Sequence, residues 1–479
     1  MKQTIPFPRL RLGSVVTLAL TAFLVTACAV DGYDDNERFT TVTGQTLESP
    51  DADAITITPD ATGAKQTITW PLVSGAGGYL VSLYDVTDDA NPVTVFADSL
   101  VDGTTLTVKR AEDTNYKLAI KTAANEKANN KGSETPSEKL FTTFTSTFAS
   151  IPSGTDLTEY FTTNPAPADS ASVDLCYDLE AGGTYTMSGA LEPGLNKITL
   201  RCTNKKNKPT ITFTGDKAGF VVNAGLTLKN IDFDCAQSTA PFIAGDASPK
   251  ATEVSGAYVI YDKLNIQNCK IDNLTNYFFY DNKKTWYVEY LIVNNCLVHL
   301  TPNKTYDAIF WLNKGRGSLL NFTVSNSTFY ETGANDYKYF YQCGGRPKNI
   351  KYALANTNYE NSTFYHVAWN GQWGNYNGLA GQSTSYWTMT NCIFYDCSPS
   401  GVARRFLAGR QNQPTATFLN NTYMHKDGTF DDPTGYDNTG TDIKADPQFK
   451  DPENADFTIS GTSQVSLGTG DPRWLPTTK

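Results

Sequence analysis

Five short apolar segments recur in the second half of the chain, and most of them end in residues suited to holding an anion. They are Phe242-Ile243-Ala244-Gly245, Phe279-Tyr280-Asp281-Asn282-Lys283-Lys284, Phe310-Trp311-Leu312-Asn313-Lys314-Gly315-Arg316, Phe340-Tyr341-Gln342-Cys343-Gly344-Gly345-Arg346 and Phe406-Leu407-Ala408-Gly409-Arg410. In four of the five a Lys or Arg follows within a few residues, so aligned registers would gather Lys283, Lys314, Arg316, Arg346 and Arg410 into a basic ridge. A guanidinium offers a planar fork to a carboxylate and an ammonium offers a point charge, which suits sugars that carry carboxylates. Trp311, with Trp369 and Trp373 in a neighbouring segment, would supply flat faces for stacking. The alternative is a set of solvated loop cations balancing nearby Asp, an arrangement that carries little energy.

Catalysis would need more than cations. Hydrolysis of a glycosidic bond calls for two carboxylates held close together as acid and base. Asp232 and Asp234 flank Phe233 on one strand face, as surface residues would, while Asp262, Asp281 and Asp307 fall in separate segments and form no paired motif. A calcium site therefore cannot be read from the sequence. His299, His366 and His425 are far apart, and there is neither a CxxC pair nor a His/Cys cluster with zinc spacing. Cys392 and Cys397 could pair if their loop permits, but packing as small buried residues is the expected role of the cysteines.

What would position such residues is an internal repeat. An Asn followed three residues later by an apolar residue recurs at Asn230, Asn268, Asn295, Asn326, Asn361, Asn391 and Asn420, with separations of 38, 27, 31, 35, 30 and 29 residues. That variable period suits stacked coils whose loops differ in length. Each Asn follows a short alternating strand and sits where the chain must turn, so the side chains are expected to form a ladder, bonding to one another and to turn backbone. Cys269, Cys296 and Cys392 occupy the next position and should stack inside. Loops leaving one edge of such a solenoid line up in space, which is why the five segments belong together.

The ends and the composition bound the rest. Lys2, Arg9 and Arg11 precede an apolar run from Val15 to Ala27 that is too short to span a bilayer as a mature helix, so residues 1–27 read as a signal peptide. Val25-Thr26-Ala27-Cys28 resembles the lipobox of bacterial lipoproteins, which implies lipidation at Cys28; an ordinary secretory peptide cleaved nearby is the alternative. Residues 28–42 include Asp31, Asp34, Asp35 and Glu37 and read as an acidic tether, similar to the tag that sends some lipoproteins to the outer leaflet of the outer membrane. A formal net charge of −10 argues against a nucleic-acid partner.

Residues 43–145, with Ile68-Thr69-Trp70 followed by Gly77-Gly78-Tyr79-Leu80-Val81-Ser82-Leu83 and later Tyr116-Lys117-Leu118-Ala119-Ile120, resemble a fibronectin type III module. Residues 146–175 read as linker and cap. From Leu179-Glu180-Ala181-Gly182-Gly183-Thr184-Tyr185 onward, through the Asn repeat (176–430) to the closing segment (431–479) with Asp446-Pro447-Gln448-Phe449, the chain resembles the pectate-lyase-like superfamily. The resemblance implies an all-β protein with a right-handed parallel β-helix. The combination resembles surface lipoproteins of bacterial glycan-utilisation systems, which implies a glycan partner and neighbouring outer-membrane transporters. The leading expectation is capture of an acidic, uronate-containing polysaccharide without a cofactor. The alternatives are a polysaccharide lyase or glycoside hydrolase of the same fold, to which calcium would belong, and a structural or adhesive stalk.

Overall fold

The computed structural model describes residues 42–60, 65–168, 170–344, 355–376, 379, 385–407 and 414–476. Cys28, Arg346 and Arg410 lie outside them. Contacts divide the chain into two units, residues up to Phe144 and from Thr145 on. No helix among the described residues is long and apolar enough to cross a membrane.

The first unit is two antiparallel sheets. Thr56–Pro59, Lys65–Thr69 and Thr105–Lys109 form one, and Val93–Val101, Tyr79–Asp85, Asn115–Thr122 and Ser137–Thr142 form the other. Alternation sends Tyr116, Leu118 and Ile120 inward against Ile68, Trp70, Tyr79, Val81 and Leu83. The indole of Trp70 meets the Tyr79 ring edge-on at 5.5 Å. The two sheets thus share one apolar core.

The second unit is a right-handed parallel β-helix. Its three sheets run from Thr147–Ile151 to Thr415–Leu419, from Thr184–Met187 to Thr422–Met424, and from Ala190–Leu191 to Gln372–Asn375. From strand Leu226–Lys229 on, seven coils pass from a first-sheet strand through the repeated Asn to a second-sheet strand, and the first five of them go on to the third sheet and back. All seven Asn have φ between 45° and 57°. A one-residue left-handed corner explains why Asn recurs there, since its short polar side chain tolerates that region best after Gly. The ladder forms in two runs. Asn268 Nδ2 donates to Asn230 Oδ1 at 2.8 Å and Asn295 to Asn268 at 3.0 Å; Asn391 donates to Asn361 at 3.0 Å and Asn420 to Asn391 at 3.2 Å. Asn326 breaks the run by donating to Asn294 instead.

The next residue points inward in every coil. Ser327 and Ser362 each donate a hydroxyl to the carbonyl two residues back at 2.7 Å, and the thiols of Cys269, Cys296 and Cys392 do the same at 3.3 Å. Thiol and hydroxyl thus fill one column interchangeably. All eight described cysteines are free, Cys392 and Cys397 included.

The coil opens earlier than expected, because Thr147–Ile151, within the stretch read as linker and cap, already pairs with Asp174–Leu179. Helix Leu157–Thr163, capped by Asp156, buries Leu157 and lays Phe161 against Tyr177 over the open end of the core. At the other end residues 446–475 fold back along the outer face of the second sheet. Phe457 packs between Tyr330 and Tyr365, and Asp471 accepts the Thr328 hydroxyl at 2.8 Å.

Candidate functional site

The basic residues that can be placed sit on turns leaving the third sheet. Their position is set by Asp281, which follows strand Phe279–Tyr280 and is wholly buried. Its Oδ1 accepts the Lys283 amide at 2.9 Å, and its Oδ2 accepts the Gly315 amide of the next coil at 2.6 Å. One carboxylate thereby fastens two stacked turns. Burial pushes its pKa up to about 6, against the pull of the Gly315, Lys283 and Lys314 amides and the Lys314 charge. The approach is so close that a Cβ at Gly315 would lie 1.7 Å from the Lys284 carbonyl oxygen, which is why glycine stands there. Lys283, Lys314 and Arg316 all point to solvent, and among the described residues none has a carboxylate at ion-pair distance.

Beside these turns runs an aromatic strip. Tyr280 and Trp311 are register partners in adjoining coils, their rings stacked at 5.3 Å and 14°. Tyr277, from the loop entering the third sheet, lies 5.0 Å from both, and Tyr306 meets Tyr277 edge-on at 4.9 Å. Lys304 lies over the Tyr306 ring at 5.1 Å. One face of Trp311 is therefore taken by protein; the residue is partly buried, and its register partner in the following coil is Gln342.

The other expected residues go elsewhere. Trp373 is a correction: it is fully buried, stacked on Phe340 at 4.4 Å, because its strand position points into the coil. Trp369 lies in the loop after Thr363–Tyr365, flat against His366 at 4.8 Å, rather than in the Trp311 column. The segment at Phe406 is also corrected, since Val402–Phe406 is a helix where earlier coils have a third-sheet strand. Asp232 pairs with Lys208 at 3.3 Å and Asp234 accepts from Asn273 at 3.0 Å, both structural roles. Glu331 is buried facing Asp336, and burial followed by that charge raises its pKa well above the usual range.

Chemically, this face offers cations and ring edges to an anionic ligand. Asp281, the carboxylate at these turns, is occupied by backbone amides. Among the described residues, no three His, Cys, Asp or Glu gather as metal ligands would. Sequence reasoning missed Tyr277, Tyr280 and Tyr306, and the anchoring role of Asp281.

Three family models match successive stretches of the chain, residues 1–182, 183–332 and 322–474, each described as a domain of unknown function. Comparison with curated proteins finds no match. Among solved structures, the chain is similar to pectate lyase PelI from Erwinia chrysanthemi in complex with tetragalacturonic acid, at 10% identity over 76% of this chain and 88% of that one, with a TM-score of 0.15. It is also similar to pectate lyase Pel3 from Pectobacterium carotovorum, at 10% identity over 81% of this chain and 96% of that one, with a TM-score of 0.18.

Proposed function

We propose that this protein captures an acidic polysaccharide along the third sheet of its β-helix, with Lys283, Lys314 and Arg316 meeting the carboxylates and Trp311 bordering the sugar rings. The observation that carries the reading is the exposed set of cations fixed by Asp281 on an otherwise acidic chain. Burying a carboxylate to hold two turns in register makes sense where those turns must present something. In the same proposal the chain is lipidated at Cys28 and stands on the outer face of the outer membrane, handing glycan to a transporter.

The test is affinity electrophoresis against polygalacturonate, alginate and a neutral glucan, together with the absorbance of unsaturated product. Retention by the acidic glycans alone, weakening as salt rises, is expected. The triple variant Lys283→Glu, Lys314→Glu, Arg316→Glu should abolish it. A folded triple variant that still binds would remove the ridge from the account. Product release lost in the same variant would favour a lyase, and no retention at all would favour a stalk.

A further inference from the structure

Each of the three histidines is paired with an aspartate: His299 with Asp272 at 2.7 Å, His366 with Asp396 at 2.6 Å and His425 with Asp431 at 2.8 Å. Among the described residues, only His299 also meets a hydroxyl, with Nε2 lying 2.8 Å from Thr332 Oγ1. The coil repeat builds this chain of contacts. Asp272, His299 and Tyr330 each stand four residues after a ladder Asn, on successive strands Lys270–Leu274, Leu297–Leu300 and Thr328–Glu331. They form one outward column of the second sheet. Thr332 follows the last of these strands, and its amide donates to the Leu300 carbonyl at 3.0 Å, which seats its side chain beside the imidazole. The Tyr330 ring lies flat on that imidazole at 4.4 Å and 4° and fixes its plane.

The protons follow from the partners. Lys270 Nζ holds Asp272 Oδ2 at 2.8 Å while His299 Nδ1 holds Oδ1. Burial raises the Asp272 pKa, but the bonds from Lys270 and His299 outweigh it, and the net shift is downward, so the carboxylate is ionised. An ionised carboxylate accepts only, so Nδ1 carries a proton, and in the neutral imidazole it is the Nε2 lone pair that faces Thr332. The Thr332 hydroxyl has no other partner among the described residues and donates to Nε2. A hydroxyl, a base within hydrogen-bond reach and a carboxylate orienting that base make up the arrangement that activates a nucleophile. The three open on a groove of about 410 Å³, whose far wall is Glu453, Asn454 and Ala455 of the returning tail.

We propose that Asp272, His299 and Thr332 form a nucleophilic relay that hydrolyses acyl esters, with O-acyl groups on sugar hydroxyls as the substrate class. Thr332 Oγ1 bonds to the ester carbonyl carbon as its proton passes to His299 Nε2. The bond from that carbon to the sugar oxygen breaks, and the leaving oxygen takes the proton from Nε2. Water then attacks the acyl-threonine, giving one proton to Nε2, which returns it to Thr332 as the carboxylic acid leaves. The step consumes one water and changes no oxidation state. The ester cleavage stands independently of glycan binding on the third sheet, while the sugar as the alcohol rests on that reading.

The purified chain is assayed with p-nitrophenyl acetate and treated with a fluorophosphonate probe. The wild type should hydrolyse the ester, and Thr332→Val and His299→Gln should each lose about 100-fold or more. Thr332→Ser should retain activity, and peptide mass spectrometry should place the probe on Thr332. The relay is overturned if wild type is no faster than Thr332→Val at equal melting temperature. If that variant does not fold, absence of label on wild-type Thr332 overturns it instead.

Discussion

The carboxylate of Asp281 accepts the Gly315 amide from the following coil at 2.6 Å. The same two coils are also tied by the Asp281 amide, which donates to the Trp311 carbonyl at 3.0 Å, and by Thr285 Oγ1, which donates to the Gly315 carbonyl at 2.6 Å. Because the carboxyl is buried and titrates at about 6, its proton content differs from that of the unfolded chain, where an Asp titrates near its model value of 3.8.

A pH dependence follows. Between pH 4 and 6 the folded Asp281 still holds a proton that the unfolded chain has released, so stability falls as pH rises through that window and levels off above it. The full effect is on the order of 2–3 kcal/mol. Urea unfolding of wild type and Asp281→Asn at pH 4 and pH 7 should show the wild type losing that much relative to the variant. A constant difference would mean that Asp281 titrates normally.

The Asn corner separates two contributions that a single substitution would merge. Asn391→Gly keeps the left-handed conformation and loses the bonds to Asn361 and from Asn420, at about 1–2 kcal/mol. Asn391→Ala adds strain at φ 52°, about 1 kcal/mol more. Equal denaturation midpoints for the two variants would show that the ladder alone sets the residue.

Two tryptophans should behave oppositely. Trp373→Ala removes a fully buried indole and should destabilise by about 3–5 kcal/mol, with the binding of any remaining folded protein unchanged. Trp311→Ala should weaken retention by polygalacturonate while lowering the melting temperature far less. A large loss of stability at Trp311 with unaltered retention would make the Tyr280 and Trp311 stack a packing device only.

The close approach at Gly315 gives a fourth expectation. Gly315→Ala places a methyl group against the Lys284 carbonyl and must displace the turn that carries Lys314 and Arg316. A loss of more than about 2 kcal/mol in chemical denaturation is expected. A variant as stable as wild type would show that the turn yields freely.

Seven coils were legible because the left-handed corner admits few residues, so Asn marks each of them whatever the loop lengths. The same marks fixed a register that went unused. Counting four residues on from each Asn gives Asp234, Asp272, His299, Tyr330, Tyr365, Tyr395 and Met424, the outward column of the second sheet. The third sheet had no such marker. Aligning its segments on Phe set Phe340 opposite Phe310, whereas the paired residue is Tyr341, and Phe242 stood in for Ile243. Trp373 was misread for a related reason: inward and outward alternate along a strand, and with no register an indole in the core looks like one on the surface. The burial of Asp281 depends on how two turns stack, which no local pattern records.

The returning tail has a consequence for how the molecule comes apart. A stack of coils touching only its neighbours would fray one rung at a time from either end. Here Asp471 grips Thr328 and Thr363, and Arg473 reaches Asn295, tying residues 143, 108 and 178 positions apart in the chain. The last rungs cannot peel away without first lifting this strap from rungs well inside the stack. The far end of the solenoid is thus knotted into its middle, and these rungs should hold or fail as one block.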